Sequence, residues 1–195
     1  MTKKYPIFLD LKDKDVLIVG GGPACLEKLM GLADTEAKIS IITKTLHSET
    51  SLFLEKNPGI GVEIREVSDQ DLLSRDLIFF ATENSETNKR LRSIAKSHKI
   101  LSNAVDDPAH CDFFSSSLVN LGAVSFSIST DGKFAGVTSA LRKLFEEIMP
   151  EGDIELFQKI YLMRKQLKEI LPEPNERKAV LKEIIHNLET RYFRK

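Results

Sequence analysis

The feature that most constrains the fold of this chain is a glycine triplet directly after a short apolar run. The run is Val16–Val19, and Gly20-Gly21-Gly22 follow it. Apolar residues at helical spacing come next, namely Leu26, Leu29, Met30, Leu32 and Ala33. A strand, a tight glycine turn and a helix start in this order direct free backbone N–H groups and the positive end of a helix dipole toward a phosphate. The turn therefore predicts a nucleotide site, above all a dinucleotide site.

Two departures from the dinucleotide-binding fingerprint leave an alternative open. Gly20 and Gly22 supply the first two glycines of G-x-G-x-x-G, but Cys25 stands at the third position. A second strand is predicted over Lys38–Thr43, and no carboxylate follows it to bind the ribose hydroxyls. Either hydroxyl and backbone groups bind the ribose, or the turn is an ordinary glycine-rich βα connection without a dinucleotide.

Composition excludes several classes of partner. The 195 residues suit one domain with an appended piece, and a net charge of −1 favours neither nucleic acid nor an acidic membrane. Residues 1–6 lack the apolar core of a signal peptide, and no apolar run approaches the ~20 residues of a membrane span. We expect a soluble, cytoplasmic protein.

The cysteines and histidines do not form a metal-binding or disulfide pattern. Cys25 and Cys111 make neither a CxxC pair nor a disulfide framework. The histidines lack HxxxH and HExxH spacing; they are His47, His98, His110 and His186. The cluster at 110–112 is disfavoured as a metal site because neighbours in an extended chain point to opposite faces. We expect no metal ligands.

Strand and helix patterns alternate over the first two-thirds of the chain. The continuous apolar run in Asp76–Ala81 is typical of a central strand buried on both faces, and a helix is predicted over Ser85–Ser97. Further strands are predicted over 62–66 and 99–103, with one helical turn over 69–73. Helix-connected strands of this kind predict an α/β fold, with a parallel sheet and helices on both sides.

The remainder of the chain changes character. Alternating residues over 113–130 predict antiparallel strands, with the side chains of Ser125, Ser127 and Ser129 on one face. Three helices are predicted after them, over 138–149, 153–170 and 176–192. The predicted parts are a nucleotide-binding domain over 1–112, a β-rich region over 113–149 and a helical domain over 150–195. The strand pair either completes a symmetric homodimer or forms an edge hairpin covered by the helices, and we favour the homodimer.

Several short motifs, in order, resemble the precorrin-2 dehydrogenase and siroheme synthase N-terminal-domain family. They are Tyr5–Leu11, Gly20–Ala24 with Lys28, Phe80–Asn84 with Asn88, Asn103–Pro108, and Ser129–Lys133 before a helix with Leu141-Arg142. The resemblance covers about residues 5 to 150. It implies a Rossmann-like NAD-binding domain, a β-rich dimerisation region and a helical C-terminal domain. The implied reaction removes a hydride and a proton from precorrin-2, giving sirohydrochlorin and NADH, and some family members also insert iron.

The resemblance assigns the coenzyme NAD to three segments of the chain. The glycine turn would bind the pyrophosphate, the residues after strand two would contact the coenzyme, and the end of the central strand would border the nicotinamide. The implied cofactor-binding residues are Gly20, Gly22, Pro23, Ala24, Lys44, Thr45, Ala81 and Thr82.

The resemblance also implies residues for chemistry on the tetrapyrrole substrate. Asp106 matches the family aspartate with acid–base or metal-handling work, and we favour it as the catalytic residue. The alternative is a loop turn at Asp106-Asp107-Pro108, in which either aspartate caps the following segment. Because precorrin-2 carries many carboxylates, Lys133 and Arg142 are candidate substrate-binding cations. Asn103 is a candidate hydrogen-bonding residue for either ligand.

Some residues depart from the family pattern. Glu27 replaces an arginine before Lys28, and Phe134 and Ser139 stand where the family commonly has a hydroxyl residue and an arginine. These departures leave two alternatives to the dehydrogenase. One is a binding protein of the same fold that holds a nucleotide or tetrapyrrole without turnover. The other is a bifunctional dehydrogenase and ferrochelatase.

Overall fold

A computed structural model describes residues 4–130, 135–148 and 151–193 of the chain. These residues form two compact units. One unit contains the described residues up to Ser115. The other contains Ser116–Thr130 together with the described residues from 135 onward. The predicted division into three parts, at 112 and 149, stays a prediction.

A five-stranded sheet is the centre of the first unit. All four pairings between neighbouring strands are parallel, and the strand order is β3-β2-β1-β4-β5. The strands are β1 (Asp15–Val19), β2 (Lys38–Thr43), β3 (Gly61–Ile64), β4 (Leu77–Phe80) and β5 (Leu101–Ala104). The predicted α/β fold with a Rossmann-like parallel sheet is confirmed.

Three helices and one 3₁₀ turn connect these strands, and a second 3₁₀ turn follows β5. The helices are α1 (Pro23–Leu32), α2 (Ser48–Lys56) and α3 (Ser85–Ser97), and the 3₁₀ turns are Asp69–Leu72 and Pro108–His110. The bounds of α3 are those predicted. The helix begins after Asn84, whose side chain caps it by accepting a hydrogen bond from the Thr87 N–H at 2.9 Å.

Alternation along the strands produces two apolar layers, one on each face of the sheet. In β1, Val16 and Ile18 belong to the layer that contains Cys25 and Leu29 of α1. Their neighbours Leu17 and Val19 belong to the layer on the other face. That second layer includes Leu72, Phe80, Leu91, Ala95 and Ala104. Both faces of the central strands are therefore covered, which is why these strands read as continuous apolar runs.

Helix α2 was not among the predicted elements, although the sequence carries a signal for it. Thr50 is buried, and Phe53 and Leu54 are partly buried against the α1 layer. Their spacing is helical, and Asn57 ends the helix with its N–H donating to the Leu54 carbonyl at 3.0 Å. The buried face contains a threonine and the exposed face contains Leu52, so the apolar stripe is blurred.

The last predicted strand of the sheet begins later than expected. Residues 99–100 were predicted as strand, but Lys99 has a φ of 59° and lies in the left-handed region. The Ile100 N–H donates to the Ala95 carbonyl at 2.9 Å. These two residues therefore terminate α3, and β5 begins at Leu101.

The second unit contains an antiparallel strand pair and helices. The elements are β6 (Ser117–Leu121), β7 (Val124–Ile128), α4 (Ala135–Ile148), α5 (Glu151–Ile170) and α6 (Pro174–Phe193). In β7, Ser125 and Ser127 are exposed while the alternate residues are half-buried, as predicted. The ring of Phe126 stacks on that of Phe145 in α4 at 5.5 Å. No helix within the described residues combines the length and apolar character needed to span a bilayer.

The glycine turn after β1 has no space for side chains at its first two positions. Gly20 has a φ of 130°, and a Cβ atom there would lie 2.3 Å from the Ala81 carbonyl oxygen. A Cβ atom on Gly21 would lie 2.2 Å from the Thr45 carbonyl oxygen. The turn therefore passes directly against the ends of β2 and β4, which only glycine permits.

We predict that Gly20→Ala lowers the free energy of unfolding by about 2 kcal/mol or more, because it combines a strained φ with a backbone clash. The matched control is Gly31→Ala in α1, where a Cβ atom meets nothing within 4 Å. This control should raise the stability by about 0.5–1 kcal/mol, since alanine favours the helix. Urea denaturation of both variants measures the difference, and equal stabilities would contradict the close packing of the turn.

Candidate dinucleotide-binding site

A cleft of about 640 Å³ lies at the carboxyl ends of β1, β2 and β4. Its walls are the glycine turn, the residues after β2 and β3, and the loop from β4 into α3. Open parallel sheets bind ligands at this edge, where strand order reverses on either side of β1. All residues that line the cleft belong to the first unit.

Gly22 is the position where the turn faces the cleft. A Cβ atom on Gly22 would meet only the His47 Nε2 atom, at 3.9 Å, in contrast to the clashes at the two preceding glycines. Helix α1 begins at Pro23, and the first N–H groups of a helix have no intrahelical acceptor. With the positive end of the helix dipole at the same place, the turn fits a diphosphate that approaches the backbone closely.

Helix α2 also begins at the cleft and is attached to the glycine turn. The His47 N–H donates to the Gly21 carbonyl at 3.0 Å, and His47 precedes the first residue of α2. The Thr50 hydroxyl donates to the Gly22 carbonyl at 3.5 Å. A second helix therefore begins beside the glycine turn, with its N-cap residue in the lining of the same cleft.

The structure brings the eight predicted cofactor-binding residues together in this one cleft. They come from three separate segments of the chain, and each lines the cavity: Gly20, Gly22, Pro23, Ala24, Lys44, Thr45, Ala81 and Thr82. Their contacts with a bound coenzyme stay predictions.

Charged residues that the sequence analysis missed also line the cleft. Glu66 follows β3 and forms an ion pair with Lys44, which lowers the pKa of the Glu66 carboxyl group. Arg65 is held by two hydrogen bonds of 2.7 Å to Asp71, and this pairing holds the pKa of Asp71 well below its usual range. Strand β3 was predicted to run to residue 66, but it ends at Ile64. Arg65 and Glu66 therefore follow the last residue of the strand.

A buried amide connects the cleft to the predicted catalytic aspartate. Asn88 of α3 is 1% exposed. Its Oδ1 atom accepts a hydrogen bond of 2.6 Å from the Thr82 hydroxyl, and its Nδ2 atom donates to the Thr82 carbonyl at 3.0 Å. The same Nδ2 atom donates to Asp106 Oδ1 at 3.0 Å. Asn88 therefore holds the exposed Asp106 beside the loop that ends β4.

The neighbouring Asp107 has different partners. Its carboxylate contacts His110 Nδ1 at 2.8 Å and Arg92 at 3.5 Å, and these contacts lower the pKa of Asp107. Asp107 thus lies at the start of the 3₁₀ turn Pro108–His110, and its carboxylate takes no part in the Asn88 contact. Among the residues that the structure describes, no three His, Cys, Asp or Glu side chains are grouped as a metal site would require.

Two of the three predicted substrate-binding residues are among the described residues, and each has a partner within its own unit. Asn103 is buried, and its side-chain amide donates to the Phe113 carbonyl at 2.8 Å. Arg142 lies on α4 in the second unit, where it forms an ion pair of 2.7 Å with Glu146. Lys133 lies outside the described residues, as does Phe134 among the departures.

Cys25, at the third glycine position, is an internal packing residue. It is fully buried against the β1 face of the sheet, and burial raises the pKa of its thiol to about 12. A protonated, inaccessible thiol is unreactive. The side chain is small enough to let α1 pack on the sheet, so the missing third glycine does not prevent the turn.

Comparison with known proteins identifies the family of the first unit. Residues 7–117 match the model of a family described as putative NAD(P)-binding. The chain belongs to this NAD(P)-binding family. The matched range contains the entire cleft and the Asn88–Asp106 contact.

Two curated relatives extend the similarity beyond that range. The chain is 26% identical over 189 residues, or 97% of its length, to a siroheme synthase of Thioalkalivibrio sulfidiphilus. It is 33% identical over 147 residues to a siroheme synthase of Blochmanniella floridana. The chain covers 38% and 31% of these two relatives, respectively. The resemblance to the siroheme synthase and precorrin-2 dehydrogenase family is thereby confirmed.

A solved structure has the same fold over most of the chain. It is described as SirC, precorrin-2 dehydrogenase, and it superposes with a TM-score of 0.77 at 24% identity. The match covers 93% of this chain and 89% of that one. Neither unit alone amounts to 93% of the chain, so the match includes residues of both units.

We predict that Asn88→Asp destabilises the protein increasingly as pH rises from about 4 to 7. The introduced carboxyl group would lie buried beside Asp106, and both burial and the like charge raise its pKa above the unfolded value. The folded state then binds more protons than the unfolded state, so stability is lost as pH rises, at about 1.4 kcal/mol per unit of pKa shift.

The control is Asn88→Ala, which removes the same hydrogen bonds without adding a charge. Its destabilisation relative to the original protein should not grow over this pH range. Denaturant titrations at several pH values compare the two variants. Parallel pH profiles would refute the contact between Asn88 and Asp106.

Proposed function

We propose that this chain catalyses the NAD-dependent dehydrogenation of precorrin-2 to sirohydrochlorin in siroheme biosynthesis. The observation that carries the proposal is the connection between the glycine-turn cleft and Asp106, made by Asn88 and Thr82. The cleft supplies a place for the coenzyme, and the connection holds a carboxylate next to it. The names of the siroheme synthase relatives and of SirC supply the substrate and the reaction.

NAD, when bound, supplies a hydride acceptor. We infer that Gly22, Pro23 and Ala24 hold its diphosphate at the N-terminus of α1, where the backbone is open to the cleft. Ala81 and Thr82, at the end of β4, would border the nicotinamide half. Lys44 and Thr45, after β2, would contact the adenosine half.

The oxidation removes two electrons and two hydrogens from the tetrapyrrole, one as a hydride and one as a proton. We assign the proton to the Asp106 carboxylate, which is exposed and fixed through its Oδ1 atom by Asn88. A carboxylate held in one orientation beside the coenzyme loop is suited to act as a general base.

Other parts of the proposal concern the substrate and the assembly. Cationic side chains would bind the carboxylates of precorrin-2, and the candidates remain Lys133 and Arg142, with Asn103 as a hydrogen-bonding residue. The β6–β7 pair would take part in a homodimer, for which the exposed row of serines on β7 offers a polar surface. The protein would act in the cytoplasm.

Substituting Gly22→Asp should abolish NAD binding while leaving the fold intact. The space beside Gly22 accepts a side chain, but a carboxylate there would repel the diphosphate. The control Gly59→Asp adds the same charge in a loop where a Cβ atom meets nothing within 4 Å. Calorimetric titration with NAD measures both variants, and unchanged affinity in Gly22→Asp would exclude this turn as the phosphate site.

Substituting Asp106→Ala should reduce sirohydrochlorin formation by roughly 10²- to 10⁴-fold without weakening NAD binding. The assay is anaerobic incubation with precorrin-2 and NAD, followed by NADH absorbance. Asp107→Asn serves as the comparison, because it alters the adjacent carboxylate with other partners. Full activity in Asp106→Ala would reject its role. NAD binding without any turnover in the unaltered protein would favour a binding protein over an enzyme.

A further inference from the structure

The residue after β2 raises a question of coenzyme selectivity. Rossmann-type sites that bind NAD commonly place a carboxylate there for the ribose hydroxyls, whereas a cation nearby accommodates the 2′-phosphate of NADP. This chain has Lys44 at that place, which by residue type alone favours NADP. The structure, however, gives Lys44 a partner. Its ammonium group forms an ion pair with Glu66 in the wall of the cleft.

The register of the sheet places Glu66 beside the end of β2. Strands β2 and β3 are parallel, with Thr43 opposite Ile64. The Arg65 N–H donates to the Thr43 carbonyl at 2.8 Å, which holds the residue after β3 against the end of β2. Lys44 follows Thr43, and Glu66 follows Arg65, so their ion pair closes just beyond the bonded ends of the two strands. A carboxylate from the neighbouring strand thus occupies the region where one from β2 itself is missing.

The other cations in the described lining of the cleft are also paired. Arg65 is held by Asp71 and by Glu63, the latter at 2.7 Å. Arg90 forms an ion pair with Asp69. A 2′-phosphate entering this region would meet cations already neutralised by carboxylates, and it would have to displace at least one of them.

We propose that Glu66 accepts the hydroxyl hydrogens of the adenosine ribose and selects NAD against NADP. Lys44, which the proposed function places against the adenosine half, also holds Glu66 at the wall of the cleft through their ion pair. This inference rests on the proposed coenzyme site. To that site it adds Glu66 as the residue by which the protein distinguishes NAD from NADP.

The chemistry of the two ligands explains the selection. The unmodified ribose has two neighbouring hydroxyl groups, and both can donate to one carboxylate. Hydrogen bonds to a charged acceptor are stronger than those between neutral groups. The 2′-phosphate of NADP removes one donor and brings negative charge against Glu66, so attraction is replaced by repulsion.

The test measures dissociation constants of NAD and NADP for the full chain by calorimetry, without substrate. The unaltered protein should bind NAD at least about 10-fold more tightly than NADP. In Glu66→Gln, NAD binding should weaken by roughly 10-fold. NADP binding should strengthen, because the repulsive charge is removed and Lys44 is released to meet the phosphate.

The matched control is Glu36→Gln, which also removes an exposed carboxylate from an ion pair with a lysine, here Lys12, but outside the cleft lining. It should leave the ratio of the two dissociation constants unchanged. An equal ratio in Glu66→Gln and the unaltered protein would overturn the role of Glu66 while leaving the coenzyme site in place. A preference of the unaltered protein for NADP would overturn it as well. Failure of both dinucleotides to bind would overturn the proposed function together with this inference.

Discussion

The close contact of the glycine turn with the neighbouring strand ends is the constraint on which the site depends. Gly20 and Gly21 have no room for a Cβ atom because they pass against the carbonyl groups of Ala81 and Thr45. The Gly20 N–H donates to the Ile42 carbonyl at 3.0 Å, and this bond fixes the turn to β2. The ends of three strands are thereby drawn together, and the next residue, Gly22, is left facing the cleft. A bulkier turn would separate these ends.

Polar side chains around the cleft are held by one another before any ligand is considered. Asn88 satisfies the Thr82 hydroxyl and orients Asp106, and Lys44 and Arg65 in the cleft lining are paired with carboxylates. Because Asn88 is buried, its amide must be satisfied in this way, since an unpaired polar group inside the protein is costly. A preformed site also loses less conformational freedom when a ligand binds.

Sequence patterns predicted well those helices that bury one apolar face and those strands that are buried along most of their length. The bounds of α3 and β2 are the predicted ones, since a capping asparagine begins α3 and an apolar run defines β2. Helix α2 was missed because its buried face includes Thr50, which weakens the apolar stripe. The predicted cofactor-binding residues line one cleft because the carboxyl ends of parallel strands meet at one edge. Their contacts with a coenzyme stay predictions.

By itself, the sequence determined the sheet, the glycine turn and the kind of ligand that the turn can approach, because these follow from local patterns of burial and backbone freedom. Only the tertiary structure decided that Glu66 meets Lys44 and that Asn88 meets Asp106. Such pairs join residues about 20 positions apart through strand register and helix packing. No local pattern encodes them, since each depends on how several elements pack at once.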